Sequence, residues 1–187
     1  MLAAALAYLA GSLVFGLLFS ALRGEDIRLA DAPGTSGVLR RYGLLAGAAA
    51  LLFDAGKGAA AIWLAQRLGA PLWLAAAGSL LGHLYPLYFR FRGGAGVAPA
   101  LGALAAADWQ LASLAVLAAL ALLWPYRRWL ASRLGLGTVP AISAAGLLAA
   151  LTSSFWLGHL SLCLAITLIL GLRALQLLLS VPRAQKP

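Results

Sequence analysis

The chain has 187 residues, of which 63% are hydrophobic and only 10% charged, and its mean hydropathy is +0.94. A soluble domain carries about 25% charged residues to cover its surface, so this composition excludes a soluble globule and specifies a chain that lives in lipid. The 14 Lys and Arg against 5 Asp and Glu give a formal charge of +9. They are scattered through short stretches between apolar runs, which excludes a basic nucleic-acid-binding stripe, and no nucleic-acid partner is expected.

A membrane helix needs roughly 20 apolar residues to cross the hydrocarbon. Residues 2–22 form a continuous apolar run and read as the first helix. No basic residue precedes it, so it reads as a retained helix and not as a cleaved signal. Residues 23–42 are polar and turn-rich and form the longest non-apolar stretch. Residues 43–68 are the second helix, with Asp54 and Lys57 inside it. Pro71, at a favoured first-turn position, opens a third helix running to about residue 88. Residues 90–96 form a glycine- and arginine-rich loop.

After that loop the runs shorten. Residues 97–107 are too few to span alone, and Asp108 marks a break. Residues 111–130 make a full helix ending in Arg127 and Arg128. Residues 134–139 read as a loop, 140–151 as a second short segment, and 155–179 as the last long helix. The expected fold is all-α: a polytopic membrane protein of about seven transmembrane helices, two of them short. One integral membrane domain covers residues 1–180, and 181–187 form a cytoplasmic tail. Short segments in a membrane belong where protein lines a hydrated cavity.

With seven crossings, alternate loops fall on opposite sides. Arg23, Arg28, Arg40, Arg41, Arg90, Arg92, Arg127, Arg128, Arg133, Arg183 and Lys186 then share one side, and the other receives Arg67 alone. That asymmetry follows the positive-inside rule and predicts an outside N-terminus and a cytoplasmic C-terminus. Losing either short segment would spoil the alternation. There is no convincing internal repeat, which argues against an inverted-repeat transporter.

Three features carry candidate chemistry. Asp54 and Lys57, three residues apart, share one helix face. At membrane depth such charges turn inward, either as an ion pair locking helices together or facing a substrate. The stretch Gly82-His83-Leu84-Tyr85-Pro86, followed by Arg90-Phe91-Arg92-Gly93-Gly94-Ala95-Gly96, offers glycine-loop amides, a helix N-terminus and arginines to an anion. The alternative is a tight turn with topogenic arginines. Pro33-Gly34-Thr35-Ser36-Gly37 with Arg40 and Arg41 offers small hydroxyls, exposed amides and cations to a phosphate. Two such loops on one face, beside apolar helices, suit a phosphorylated headgroup and an acyl chain meeting at the interface. The lone Cys163 sits in an apolar run, and with only His83 and His159 beside it there is no zinc spacing. There is also no nucleophile elbow, no Walker motif and no acidic cluster for magnesium.

In this order the motifs resemble those of the bacterial acyl-phosphate:glycerol-3-phosphate acyltransferases, the PlsY family, over about residues 7–178. The resemblance rests on Gly11-Ser12, Val38-Leu39-Arg40, Phe53-Asp54-Ala55-Gly56-Lys57-Gly58, and Gly82-His83 through Pro86 to Phe91-Arg92-Gly93-Gly94-Ala95-Gly96-Val97-Ala98. It implies a seven-helix enzyme of the bacterial inner membrane. Such an enzyme moves an acyl group from acyl phosphate to the 1-hydroxyl of glycerol 3-phosphate, giving lysophosphatidate for phospholipid synthesis, with no cofactor, metal or acyl-enzyme. The site residues this reading implies are His83 as the catalytic candidate, orienting the loop or taking a proton, and Ser36, Arg40, Asp54, Lys57, Arg92, Gly93, Gly94, Gly96, Thr138 and Arg173 as binders of substrate and phosphate. Membrane lipids are the other expected partners.

The chain departs from the family pattern at several points. Its first-loop motif is shorter, with Ala32 and Gly37 where the family has asparagines and Ser36 where it has threonine. Ala95 stands for a lysine, Arg92 for another lysine and Pro99 for a threonine. Thr138-Val139-Pro140 stands for Ser-Leu-Gly. Arg173 is followed by Ala174 in place of histidine, with no acid beyond it. These replacements leave a second reading open, a catalytically impaired paralogue that keeps the fold and binds a lipid or phosphorylated ligand.

Overall fold

In hydrocarbon every backbone N–H and C=O must find its partner inside the protein, and a chain of apolar runs without strand pairing can do that only as helices. A computed structural model describes residues 1–134 and 138–180, and among these there are helices and no strand. In chain order they are α1 (Leu2–Gly11), α2 (Phe15–Leu22), α3 (Thr35–Tyr42), α4 (Leu44–Arg67), α5 (Leu72–Leu84), α6 (Val97–Ala107), α7 (Trp109–Pro125), α8 (Ala131–Leu134), α9 (Thr138–Leu157) and α10 (Leu160–Ser180). A π-helical segment, Tyr126–Leu130, joins α7 to α8, and single 3₁₀ turns lie at Ile27–Leu29 and Leu87–Phe89. Five stretches are long and apolar enough to cross a membrane: Leu2–Leu22, Leu44–Arg67, Trp109–Arg133, Thr138–Leu157 and Leu160–Leu179. The two short apolar helices between them are α5, with 13 residues, and α6, with 11. The protein is an all-α polytopic membrane protein.

Several expected elements are corrected. The run 2–22 is not one helix, because it breaks after Gly11 and restarts at Phe15. The stretch 23–42 is not only loop, since its last eight residues form α3, which buries Gly37 and Val38 and exposes Arg40 and Arg41. The third helix ends at Leu84, four residues before the expected end, and the segment to Phe89 is an irregular turn. The segment expected to be short at 140–151 is a full span, α9. Thr152, Ser153 and Ser154 fall in the gap left between the expected segments 140–151 and 155–179. Instead their hydroxyls donate to carbonyls three and four residues back, at 2.6–3.2 Å, so the helix absorbs them. The break falls at Gly158, whose φ of +76° suits glycine. Of the loop expected at 134–139, Leu134 ends α8 and Thr138 and Val139 open α9, while residues 135–137, and the tail 181–187 with Arg183 and Lys186, lie outside the described residues.

Helix association in lipid relies on close packing of small residues. On α4, Gly58 touches the Pro99 carbonyl at the start of α6, and Gly102 of α6 touches the Ala55 carbonyl, so a Cβ at either would strike backbone. Gly82 of α5 lies equally close to the Tyr8 carbonyl of α1. The main core gathers Ile62, Leu80, Leu84, Leu104, Leu111, Leu162 and Ile166. Leu117, Leu148 and Leu168 point outward, as lipid-facing positions should.

Candidate active site

A buried polar centre lies between α1, α4 and α5. Asp54 is fully buried, and its Oδ1 pairs with Lys57 Nζ at 2.9 Å. Lys57 Nζ also donates to the Gly11 carbonyl at 2.8 Å and the Leu13 carbonyl at 3.0 Å. The Phe15 amide donates to Asp54 Oδ1 at 3.4 Å. His83 Nδ1 stands 3.6 Å from the same oxygen, with its ring 2% exposed. An ammonium has three donors, and those of Lys57 are all committed inside the protein. Asp54 Oδ2, His83 Nδ1 and Ser79 Oγ are buried without a hydrogen-bond partner among the described residues.

The turn after α5 places His83 against the glycine motif. Gly93 N–H donates to the Leu84 carbonyl and Gly94 N–H to the His83 carbonyl, both at 3.0 Å. These two amides therefore cap the C-terminal end of α5 instead of pointing at an anion, which corrects the expectation for the glycine loop. Further along, the amides of Ala95, Gly96, Val97 and Ala98, at the N-terminal end of α6, have no backbone acceptor among the described residues. Gly94 lies so close to His83 that a Cβ there would strike Nε2, and a Cβ on Gly93 would strike the His83 carbonyl and the Pro86 ring. Upstream, Arg90 and Phe91 both adopt left-handed backbone, with φ of 57° and 58°, a conformation costing about 1–3 kcal/mol at a non-glycine residue. Arg90 and Arg92 are exposed and join no ion pair among the described residues.

Arg173 reaches this turn from α10. Its Nη2 donates to the Gly93 carbonyl at 3.3 Å and its Nη1 to Gln176 Oε1 at 3.0 Å. Its guanidinium lies over the Tyr85 ring, 5.4 Å from the centroid. Tyr85 Oη donates to Gln176 Oε1 at 2.6 Å, and Tyr8 Oη donates to the Tyr85 carbonyl at 2.9 Å.

The first loop is organised by its acids. Arg40 forks onto Asp31 at 2.5 and 2.9 Å, and Arg41 meets Glu25 at 3.4 Å. Arg28 pairs with Asp26 at 2.7 Å and donates from Nη1 to the carbonyls of Phe89, at 2.9 Å, and Arg92, at 3.2 Å. It therefore joins the two loops. The Arg40 guanidinium holds the Asp31 carboxyl below the usual aspartate range, and Arg28 does the same for Asp26. Ser36 sits in the first turn of α3, where the amides of Thr35, Ser36 and Gly37 have no backbone acceptor among the described residues.

Of the residues expected from sequence, the structure brings Asp54, Lys57, His83, Gly93, Gly94 and Arg173 into one connected cluster. Gly96 and Arg92 flank it, and Ser36 and Arg40 belong to the loop that Arg28 ties on. Thr138 opens α9, which packs chiefly against α7 and α10. Sequence reasoning missed Arg28, Asp26, Asp31, Tyr85 and Gln176. The alternation of acid and arginine at Asp26, Arg28, Asp31 and Arg40 was the available signal. Gln176 carried none, since only the fold brings it to Tyr85.

Fold and site together define a membrane protein with an arginine-rich, anion-competent turn at one end of its helices. A family model described as glycerol-3-phosphate acyltransferase matches residues 1–179. The chain is 46% identical over 179 residues to glycerol-3-phosphate acyltransferase 2 of Deinococcus radiodurans, covering 92% of this chain and 91% of that protein. It is also similar to crystal structures of PlsY, an integral membrane glycerol 3-phosphate acyltransferase, at 26% identity. The glycerol 3-phosphate form aligns with a TM-score of 0.80 over 95% of this chain and 88% of that one. The lysophosphatidic acid form aligns at 0.78 over 96% and 91%. The chain belongs to the glycerol-3-phosphate acyltransferase family.

Proposed function

We propose that this protein transfers an acyl group from acyl phosphate to the 1-hydroxyl of glycerol 3-phosphate, for phospholipid synthesis in a bacterial inner membrane. The hydroxyl oxygen attacks the acyl carbonyl carbon, the bond from that carbon to the phosphate oxygen breaks, and the hydroxyl proton passes to a phosphate oxygen. Lysophosphatidate and inorganic phosphate result. Acyl phosphate is a mixed anhydride with a good leaving group, so positioning and charge neutralisation supply much of the rate.

The observation that carries this reading is the turn between α5 and α6. It holds two arginines and, at a helix N-terminus where backbone dipoles favour a phosphate, four amides that have no partner among the described residues. Arg92 and the amides from Ala95 to Ala98, Gly96 included, bind one phosphate. Ser36 in the first turn of α3 and Arg40 in its last turn bind the other, and Arg173 supports the turn through the Gly93 carbonyl. Gly93, Gly94 and His83 fix the loop backbone, with His83 orienting it. Thr138, where the family has the serine of Ser-Leu-Gly, is the remaining phosphate binder. Arginine asymmetry supports an outside N-terminus and a cytoplasmic C-terminus, with residues 1–180 as one membrane domain and 181–187 as a cytoplasmic tail.

The decisive experiment supplies purified protein with acyl phosphate and glycerol 3-phosphate and measures lysophosphatidate and phosphate together. Equimolar formation of both is the expected result. Binding of glycerol 3-phosphate without turnover would instead establish the impaired paralogue that Ala95 and Ala174 allow. An alkaline-phosphatase fusion active at the C-terminus would overturn the orientation.

A further inference from the structure

The apolar run 2–22 contains no proline, yet it breaks after Gly11. A helix end leaves carbonyls and amides without partners, and at membrane depth each unsatisfied group costs several kcal/mol. At this break the partners come from one turn of α4. Lys57 Nζ takes the Gly11 carbonyl at the C-terminal end of α1 and the Leu13 carbonyl within the break, and Asp54 Oδ1 takes the Phe15 amide at the N-terminal end of α2. The 2.9 Å ion pair joins the two caps.

We infer that Asp54 and Lys57 are positioning residues that clamp the broken first helix and couple both loops to it, and that neither grips the substrate phosphate. The catalytic consequence rests on the acyltransferase reading; the clamp itself does not.

The coupling has two arms. Beyond the break, α2 carries Gly16 into contact with the Pro33 carbonyl and the Val38 side chain, so the direction in which α2 leaves the clamp sets the first loop. The Asp54 oxygen that caps Phe15 also stands 3.6 Å from His83 Nδ1, and the opposite edge of that ring abuts Gly94. Asp54 and the second loop thus flank the same imidazole on opposite edges. Lys57 has no donor left for a ligand while the clamp is closed.

The test compares wild type, Asp54→Asn, Lys57→Gln and the double variant in lipid nanodiscs. It reads kcat, KM for each substrate, and hydrogen exchange of the segment 11–18. Each single variant is expected to lose at least about 30-fold in kcat while both KM values stay within about 3-fold, the pattern of a group acting on alignment and not on binding. Exchange over 11–18 should accelerate. The double variant should lose no more than the worse single one, because members of one unit are not additive. A rise of about 10-fold or more in KM for a phosphorylated substrate in Lys57→Gln, with kcat kept, would overturn the inference and put the lysine on the phosphate. If the neutral variants do not fold, Lys57→Arg keeps the charge and is read by the same split between kcat and KM. A wild type without turnover defeats the acyltransferase reading alone. Hydrogen exchange still decides the clamp, which fails if Lys57→Gln leaves the segment 11–18 unchanged.

Discussion

The loop between α2 and α4 brings its own counter-charges, whereas the loop between α5 and α6 brings none. In the first, Asp26, Asp31 and Glu25 each hold an arginine, and the cations are largely satisfied before any ligand arrives. In the second, Arg90 and Arg92 join no ion pair among the described residues, while the Gly93 and Gly94 amides are committed to the end of α5. The same residue types therefore do different work. Arginine organises the first loop and remains available in the second. Glycine permits tight backbone approach in the second loop, and the free amides lie just beyond it.

The largest effect should come from filling that approach. Gly94→Val places a side chain where the buried His83 ring already sits, and it should lower kcat/KM by at least about 100-fold, or roughly 3 kcal/mol. Restored activity in Gly94→Val combined with His83→Ala would show that the clash, and not the imidazole, limits the variant. An unchanged rate in Gly94→Val would remove the loop from the site.

Next comes the free cation. Arg92→Gln should raise KM for a phosphorylated substrate by about 10- to 100-fold, or roughly 1.4–2.8 kcal/mol. Arg92→Lys should fall between, because it keeps the charge but loses the fork. Ala95→Lys restores the cation usual in the family and should increase activity. If Arg92 serves topology alone, its variants will differ in membrane insertion and not in KM.

A smaller effect is expected at the tie between the loops. Arg28→Gln removes donors from the Phe89 and Arg92 carbonyls, and turnover should fall by about 10-fold. If it alters thermal stability alone, the two loops work independently.

The smallest effect belongs to Asp31 and Arg40. Arg40 is mostly exposed, with 58% of its side-chain surface accessible, and such a pair contributes about 0–1 kcal/mol. Because the folded-state pKa of Asp31 is lowered, its contribution is complete above the ordinary value of 3.8 and fades only as pH falls through the lowered one. Asp31→Asn should therefore shift the melting temperature equally across about pH 6 to 8, while releasing Arg40 and tightening phosphate binding severalfold. A stability difference that changes within that range would contradict the pairing.

Much of the fold was legible because lipid imposes a simple rule: apolar runs of sufficient length become helices. That rule located α4, the glycine–arginine turn and the short α6, and it drew attention to Asp54, Lys57 and His83 as polar residues where such residues are costly. It failed where local chemistry had two outcomes. Hydroxyls at Thr152, Ser153 and Ser154 can end a helix or bond back within it, and they bond back. The polar stretch after α2 could remain loop throughout, yet its end folds as α3 because Gly37 and Val38 have somewhere to be buried, against Ala32 and Gly16. Whether Asp54 and Lys57 face a ligand or lock helices was equally undecidable from their spacing, which fixes a shared face but not what that face meets. Only tertiary structure supplies the break in the first helix, since a helix without proline breaks in lipid only when another element takes up the freed carbonyls and amide, and those partners lie some forty residues away on α4.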